Sequence, residues 1–180
     1  TKSDWSLPTG VFNAGTMNYT SDQSSLPQPS IWATSTDLTI ETWYKPNTSG
    51  IYTGCCDTIF GRYYFRFFQI GTLLYTMIGF DNGSGVSYNH PSFSVSYDNW
   101  HHILGIRRDN RFIIWIDGVE RYNTTYGADK NLESTISNTW NISTTRHTNV
   151  DISICRIYNR GLSDSEILQN FNSQKNRFGL

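Results

Sequence analysis

Charge is scarce in this sequence: 14 Lys and Arg and 15 Asp and Glu in 180 residues leave a formal net charge of −1. A chain with no basic field releases no counterions on a phosphate backbone, so nucleic acid is excluded as an expected partner. Long apolar runs are missing as well. The aromatic segment Tyr63 to Phe68 is interrupted by Arg66, and nothing approaches the ~20 apolar residues of a membrane-spanning helix, so no membrane insertion is expected. Cysteine is limited to Cys55, Cys56 and Cys155. Adjacent cysteines pair only with strain and the count is odd, which argues against a disulfide-stapled framework. The three have no histidine at zinc-site spacing. Cys155 is in phase with Ile157 and reads as a small buried hydrophobe. The glycine-containing stretch Asp81-Asn82-Gly83-Ser84-Gly85 is not followed by a helical pattern, so it is a turn and not a phosphate-binding loop. There is no initiator Met and no hydrophobic signal region before the first polar residues, which reads as a processed chain or a fragment.

What is present is alternation. At 180 residues the chain fits one all-β sandwich with a full core, and 15% aromatic content with many Asn, Ser and Thr suits short strands joined by hydrogen-bonding turns. The clearest stretch runs from Asn99 to Arg121. Trp100, His102, Leu104 and Ile106 alternate with His101, Ile103, Gly105 and Arg107, and Arg108-Asp109-Asn110 then breaks the pattern. Phe112, Ile114 and Ile116 next alternate with Ile113 and Trp115, and Asp117-Gly118 closes the run. Both faces carry large apolar side chains, which predicts a central hairpin covered on one side by a second sheet.

Elsewhere, Leu38, Ile40 and Thr42 alternate with Thr39, Glu41 and Trp43 until Pro46 ends the strand. Gly10 to Met17 reads as a first strand, Ser21 to Ile31 and Asn47 to Cys56 as loops, and Ile59 to Ile70 and Thr72 to Phe80 as consecutive strands. A shorter strand is expected within Gly85 to Val95, and weak strands around Ile136 to Ile142. Ile152 to Tyr158 forms a closing strand. Ser163 followed by Glu166 is a capping box, predicting one short helix through Ile167, Leu168 and Phe171.

Three segments carry a family resemblance. Trp100-His101-His102-Ile103 with Phe112 to Val119, the stretch Asp37 to Pro46, and Arg156 to Ile167 resemble, in family order, the signatures of laminin-G-like domains in the concanavalin A-like superfamily. The resemblance implies an all-β, concanavalin A-like jelly-roll β-sandwich of two antiparallel sheets with one short C-terminal helix. Residues 1–9 then form an N-terminal arm or linker and residues 10–180 the laminin-G-like domain. The superfamily contains lectins, glycosidases, adhesion modules and virion proteins, so the fold alone does not choose among them. The ending Asn170 to Leu180 resembles that of laminin-G-like domains in tailed-phage and other viral structural proteins. It also reads as a docking tail with a buried terminus. That likeness implies a non-enzymatic virion structural module: a capsid decoration, fibre or adhesion protein on the surface of a bacteriophage or other virus. Its partners would be other capsid or tail proteins, further copies of itself, and a host-surface glycan used in host attachment. The alternative is a secreted carbohydrate-binding or cell-adhesion module, and the least favoured reading is a glycan-degrading enzyme.

The chemistry of individual residues bears on that choice. Glycosidases of this superfamily place two carboxylates in one cleft, whereas Glu41, Glu120, Glu133 and Glu166 are each isolated from another acid at strand spacing. No catalytic residue is therefore assigned. His101 and His102 point to opposite faces of a strand and cannot share a metal, so packing or hydrogen bonding is their expected role. No cofactor is expected, with calcium the one candidate ion, at Asp57, Asp81 and Asp151. Ser153-Ile154 stands where the family often has an acid pair, which weakens an inherited acidic role. Sequons at Asn18, Asn47, Asn82, Asn123 and Asn141 are read as a product of composition. Strand phase puts Glu41, Trp43 and Trp115 on one face, the candidate ligand site if that face is exposed. If loops or the C-terminal helix cover it, the same residues are core.

Overall fold

The computed structural model describes residues 11–13, 16–19, 24–27, 37–46, 53–60, 63–70, 73–81, 86–89, 91–109, 111–125, 139–142 and 150–180. Residues 1–9 lie outside this set. The strands are β1 (Val11–Asn13), β2 (Thr16–Tyr19), β3 (Ser24–Pro27), β4 (Leu38–Pro46), β5 (Thr53–Phe60), β6 (Tyr63–Ile70) and β7 (Leu73–Asp81). They continue with β8 (Val86–Asn89), β9 (Ser92–Ser94), β10 (His101–Arg108), β11 (Arg111–Ile116), β12 (Val119–Thr125), β13 (Thr139–Ile142) and β14 (Val150–Tyr158). The helix α1 (Asp164–Gln174) follows and runs into a 3-10 turn, Lys175–Phe178. The first sheet has the order β1-β2-β14-β4-β10-β11-β12 and the second β3-β13-β5-β6-β7-β8, with β9 paired to β7. The result is the expected all-β sandwich of two antiparallel sheets plus a C-terminal helix.

The hairpin lies inside the first sheet, between β4 and the edge strand β12. Ile103 pairs with Ile116, Gly105 with Ile114 and Arg107 with Phe112, and on the other side β10 pairs Ile103 with Thr42 and Gly105 with Ile40. Asp117 and Gly118 both have left-handed backbone angles, φ 52° and 76°, between paired Ile116 and Val119. This is a two-residue connection whose twist matches that of the strands it joins.

These registers sort the side chains into two buried layers. Leu38, Ile40, Tyr44, Ile103, Phe112, Ile114 and Ile116 form the layer facing the second sheet. The opposite layer consists of Leu104, Ile106, Ile113 and Trp115, packed with Leu162 and Ile167 of the C-terminal segment and with Tyr158. A strand buried on both faces needs apolar residues at every position, which explains the double pattern in β10 and β11.

The C-terminal segment is held in place by several polar contacts. Ser163 accepts from the Glu166 amide while the Glu166 carboxylate accepts from the Ser163 amide at 2.9 Å, completing the capping box. Arg160 grips Glu166 through both nitrogens at 2.6 and 2.8 Å. Thr39 Oγ1 donates to the Arg160 carbonyl and accepts from the Leu162 amide, tying β4 to the connector 159–163. Arg108 donates to the Leu162 carbonyl and to Asp164, and its stem lies where a side chain on Gly161 would go.

Several elements differ from expectation. The expected loop Ser21 to Ile31 contains β3, which pairs with β13, and Thr53 onward in the expected loop Asn47 to Cys56 belongs to β5. In place of the one strand expected over Gly10 to Met17, the described residues form β1 (Val11–Asn13) and β2 (Thr16–Tyr19), paired with each other. Strand β12 had no apolar alternation to reveal it, because it is a largely exposed edge. The tail is buried only as far as Phe178, and Leu180 is 43% exposed. Cys155 is half-buried rather than a core residue.

Candidate functional site

Glu41 is the centre of the outer layer. It is wholly buried, and its carboxylate accepts from His102 Nε2 at 3.0 Å, Arg156 Nη1 at 3.0 Å, the Tyr158 hydroxyl at 2.8 Å and Asn170 Nδ2 at 3.1 Å. These donors come from β10, β14 and α1, so one carboxylate on β4 joins three other elements. A carboxylate only accepts, so His102 carries a proton on Nε2. Burial is the strongest single influence on Glu41 and pushes its pKa up. The hydrogen bonds from His102 and Tyr158, with the positive field of His102 and Arg156, outweigh it and hold the carboxyl below its usual range. Burial, then the bond to Glu41, raises the Tyr158 phenol. A group locked in its ionised form and sealed from solvent cannot deliver a proton to a glycosidic oxygen. Glu41 is a structural clamp.

Trp43 and Trp115 do share a face with Glu41, as strand phase requires, but that face is covered. Trp43 is 0% and Trp115 7% exposed. Phe178 stacks on Trp43 with centroids 4.2 Å apart, and Phe171 lies 6.0 Å from Trp43 and 5.6 Å from His102. The expected exposed platform is thus corrected to a packed layer beneath α1 and the 3-10 turn. Its indole nitrogens and His102 Nδ1 have no hydrogen-bond partner among the described residues. Each such group costs about 1–3 kcal/mol, so the layer is held by its packing and by the Glu41 bonds.

His101, on the opposite face, contacts Asp117 Oδ2 through Nδ1 at 2.8 Å, while its Nε2 lies 3.1 Å from the Ser96 carbonyl and 3.3 Å from the Ser96 hydroxyl. Serine, histidine and aspartate thus occur in the order of a catalytic triad. However, Nε2 is nearer the carbonyl than the hydroxyl, and that hydroxyl already accepts from Asn99. Asp117 also accepts from the His102 amide at 2.8 Å. The set fastens the 117–118 turn to the strand entry.

The three calcium candidates do not converge. Asp151 is on the first sheet, where it forms a 2.8 Å ion pair with Lys45. Asp57 and Asp81 are on the second sheet, two strands apart and four residues out of register, a backbone separation of about 16 Å. Their side chains lie outside the described residues. Among the described residues no three His, Cys, Asp or Glu side chains cluster as a metal site.

The accessible chemistry lies at one end of the outer layer, around a residue the sequence reading left within the hairpin pattern. Trp100 is half-buried, its indole tilted against Phe178 at 4.9 Å and overlain by Lys45 Nζ at 5.7 Å. Lys45 is the partner of Asp151. Over the Phe178 ring that Trp100 touches, the Arg177 guanidinium lies 5.2 Å from the centroid, and Lys175 Nζ lies 5.7 Å from that of Phe171. The available signal was Trp100 immediately before a strand, where a large ring reaches the rim.

A two-layer sandwich in which the one buried acid among the described residues is held by four donors defines the class. The chain belongs to the concanavalin A-like lectin/glucanases superfamily, whose family model matches residues 5–168. No curated protein matches it in sequence. Among solved structures, the binding domain of Paraclostridial Mosquitocidal Protein 1 is similar, with 16% identity and a TM-score of 0.71 over 89% of this chain and 44% of that one. The binding domain of botulinum neurotoxin DC in complex with SialylT has 16% identity and a TM-score of 0.67 over 88% and 42%. The heptameric SAP-like pentraxin from Limulus polyphemus has 10% identity and a TM-score of 0.66 over 87% and 81%. The chain spans less than half the length of the toxin domains. At these identities the likeness establishes the fold. The viral reading (virion structural protein, capsid decoration, bacteriophage) is overturned, since these similar structures are toxin binding domains and a pentraxin, not virion components. The resemblance of the last eleven residues misled because they are fixed by packing: Asn170, Phe171 and Phe178 serve the Glu41 and Trp43 layer. No helix among the described residues is long and apolar enough to cross a membrane.

Proposed function

We propose that this chain is a non-catalytic recognition module that binds a carbohydrate or glycosylated receptor outside the cell. The observation that carries the non-catalytic part is Glu41, whose two oxygens are occupied by four donors inside the sandwich. Two comparisons support the recognition part: similar toxin structures are binding domains, and one was solved with SialylT. A rigid sandwich presenting side chains at its rim is well suited to such binding. The test is a glycan microarray probed with the full chain, combined with a reducing-sugar assay on the glycans it retains. Specific retention without sugar release is expected. Retention of none would refute recognition, and release abolished by Glu41→Gln would refute the non-catalytic reading.

A further inference from the structure

We propose that the corner formed by Trp100, Lys45, Asp151 and Arg177 is a binding site for a sugar that carries a carboxylate. This inference rests on the recognition reading above and names its site and ligand class. Of the three tryptophans Trp43, Trp100 and Trp115 around this layer, Trp100 is the one whose indole reaches the surface, since Trp43 and Trp115 are sealed under the C-terminal segment. The part of this indole that Lys45 and Phe178 leave open offers apolar ring surface to the C–H face of a pyranose.

Beside that ring, Lys45 and Asp151 place a donor and an acceptor 2.8 Å apart, with side-chain exposures of 28% and 16%. Adjacent hydroxyls on a sugar ring need such a donor and acceptor pair, and partial burial makes each bond more selective than it would be in open water. The register fixes the pair, because Lys45 and Asp151 are directly opposed on β4 and β14. Both strands are interior to the sheet, so the pair is held by the fold and not by a loop.

Charge decides the class of sugar. Arg177 is exposed, meets no carboxylate among the described residues, and lies against the Phe178 ring that itself touches Trp100. Lys175 is on the same 3-10 turn, over Phe171. Asp151 is already paired with Lys45, and Asp98, whose amide donates to the Pro46 carbonyl, is exposed. Arg177 is therefore left to form the forked pair with a planar carboxylate that guanidinium favours. The carboxylate could belong to a sialic acid or to a uronic acid, which present the same charge on differently substituted rings.

The test titrates the full chain with 3′-sialyllactose, a glucuronic-acid-terminated disaccharide and lactose, followed by tryptophan fluorescence and by heteronuclear NMR. At least one acidic sugar should bind tenfold or more tightly than lactose, and the better of the two identifies the source. Arg177→Gln should reduce that ratio below threefold with an unchanged melting temperature. Trp100→Ala should abolish binding of all three, while Trp100→Tyr, which keeps a stacking ring, should retain at least a tenth of the affinity. Equal binding of acidic and neutral sugars, or a ratio that survives Arg177→Gln, overturns the proposal. Array binding that persists in both Trp100→Ala and Arg177→Gln also overturns it while leaving the recognition reading intact. Failure of every glycan to bind removes both.

Discussion

Replacing Glu41 by Gln tests the clamp with almost no change in shape. In the wild type, His102 and Arg156 converge on Oε1, and Tyr158 and Asn170 on Oε2. Glutamine keeps one accepting oxygen and presents an amino group at the other position. The Tyr158 hydroxyl can turn and accept, but the Asn170 amino group then faces another donor. Hydrogen bonds to a charged group contribute about 1.5–3 kcal/mol and neutral ones about 1. Losing the charge on two bonds and one bond outright should cost about 3 kcal/mol, at the lower edge of the 3–5 kcal/mol range for breaking a buried ion pair. In a chain of 180 residues this lowers the melting temperature by roughly 6–12 °C. Circular dichroism at 218 nm reads the transition, and a double-mutant cycle with Asn170→Ala should return a coupling of about 1 kcal/mol. A Glu41→Gln protein within 0.5 kcal/mol of wild type, by order of magnitude, would show that the carboxylate is dispensable and the clamp reading wrong.

The same clamp sets the acid limit. Glu41 titrates below its ordinary 4.5 and Glu166 at about 2 when folded, so their stabilisation is complete above the unfolded values and lost as pH falls through the folded ones. Urea midpoints should therefore drop between pH 5 and pH 2, and less steeply in Glu41→Gln. Tyr158 has the opposite sign: its raised pKa keeps its contribution intact below 10.0 and loses it as pH rises through the folded value, which a midpoint series from pH 9 to 12 would reveal. Gly118→Ala should cost roughly 2–4 kcal/mol, because a Cβ at φ 76° would lie 2.6 Å from Phe171 Cδ1. Hydrogen exchange should then show faster opening of 164–178 than of β10. Trp43→Ala and Trp115→Ala should each lose about 3–5 kcal/mol by thermal unfolding, and values under 1 kcal/mol would contradict their burial.

The elements legible in the sequence were those with a strong local period. β4, β10, β11 and β14 carry alternating side chains, and the helix begins at a capping box, so each is found near its expected place. Strand phase also put Glu41, Trp43 and Trp115 on one face correctly, because phase depends only on backbone geometry. What phase does not reveal is what covers a face. The cover comes from Leu162, Ile167, Phe171 and Phe178, more than a hundred residues from Trp43, and no local pattern joins them. The short strands β3 and β13 were missed or weakly seen for a related reason. Four-residue segments pair because a neighbour is in place, and their own composition is that of loops. Trp100 was visible as a residue, but its position at the rim depends on where Phe178 ends up.

The order of strands in the first sheet has a consequence for how the chain is made. β14 and α1 are made after every other described strand, yet β14 must enter between β2 and β4, and α1 must close over β4, β10 and β11. Until about residue 178 has emerged, the β10–β11 hairpin can form but its outer layer of Leu104, Ile106, Ile113 and Trp115 stays wet, and Glu41 lacks three of its four donors. A nascent chain stalled before that point therefore presents a broad apolar surface and an unfilled slot between two strands, the kind of surface to which chaperones and aggregating neighbours bind. Productive folding of the first sheet is thus completed in a single late step, when these two elements arrive together.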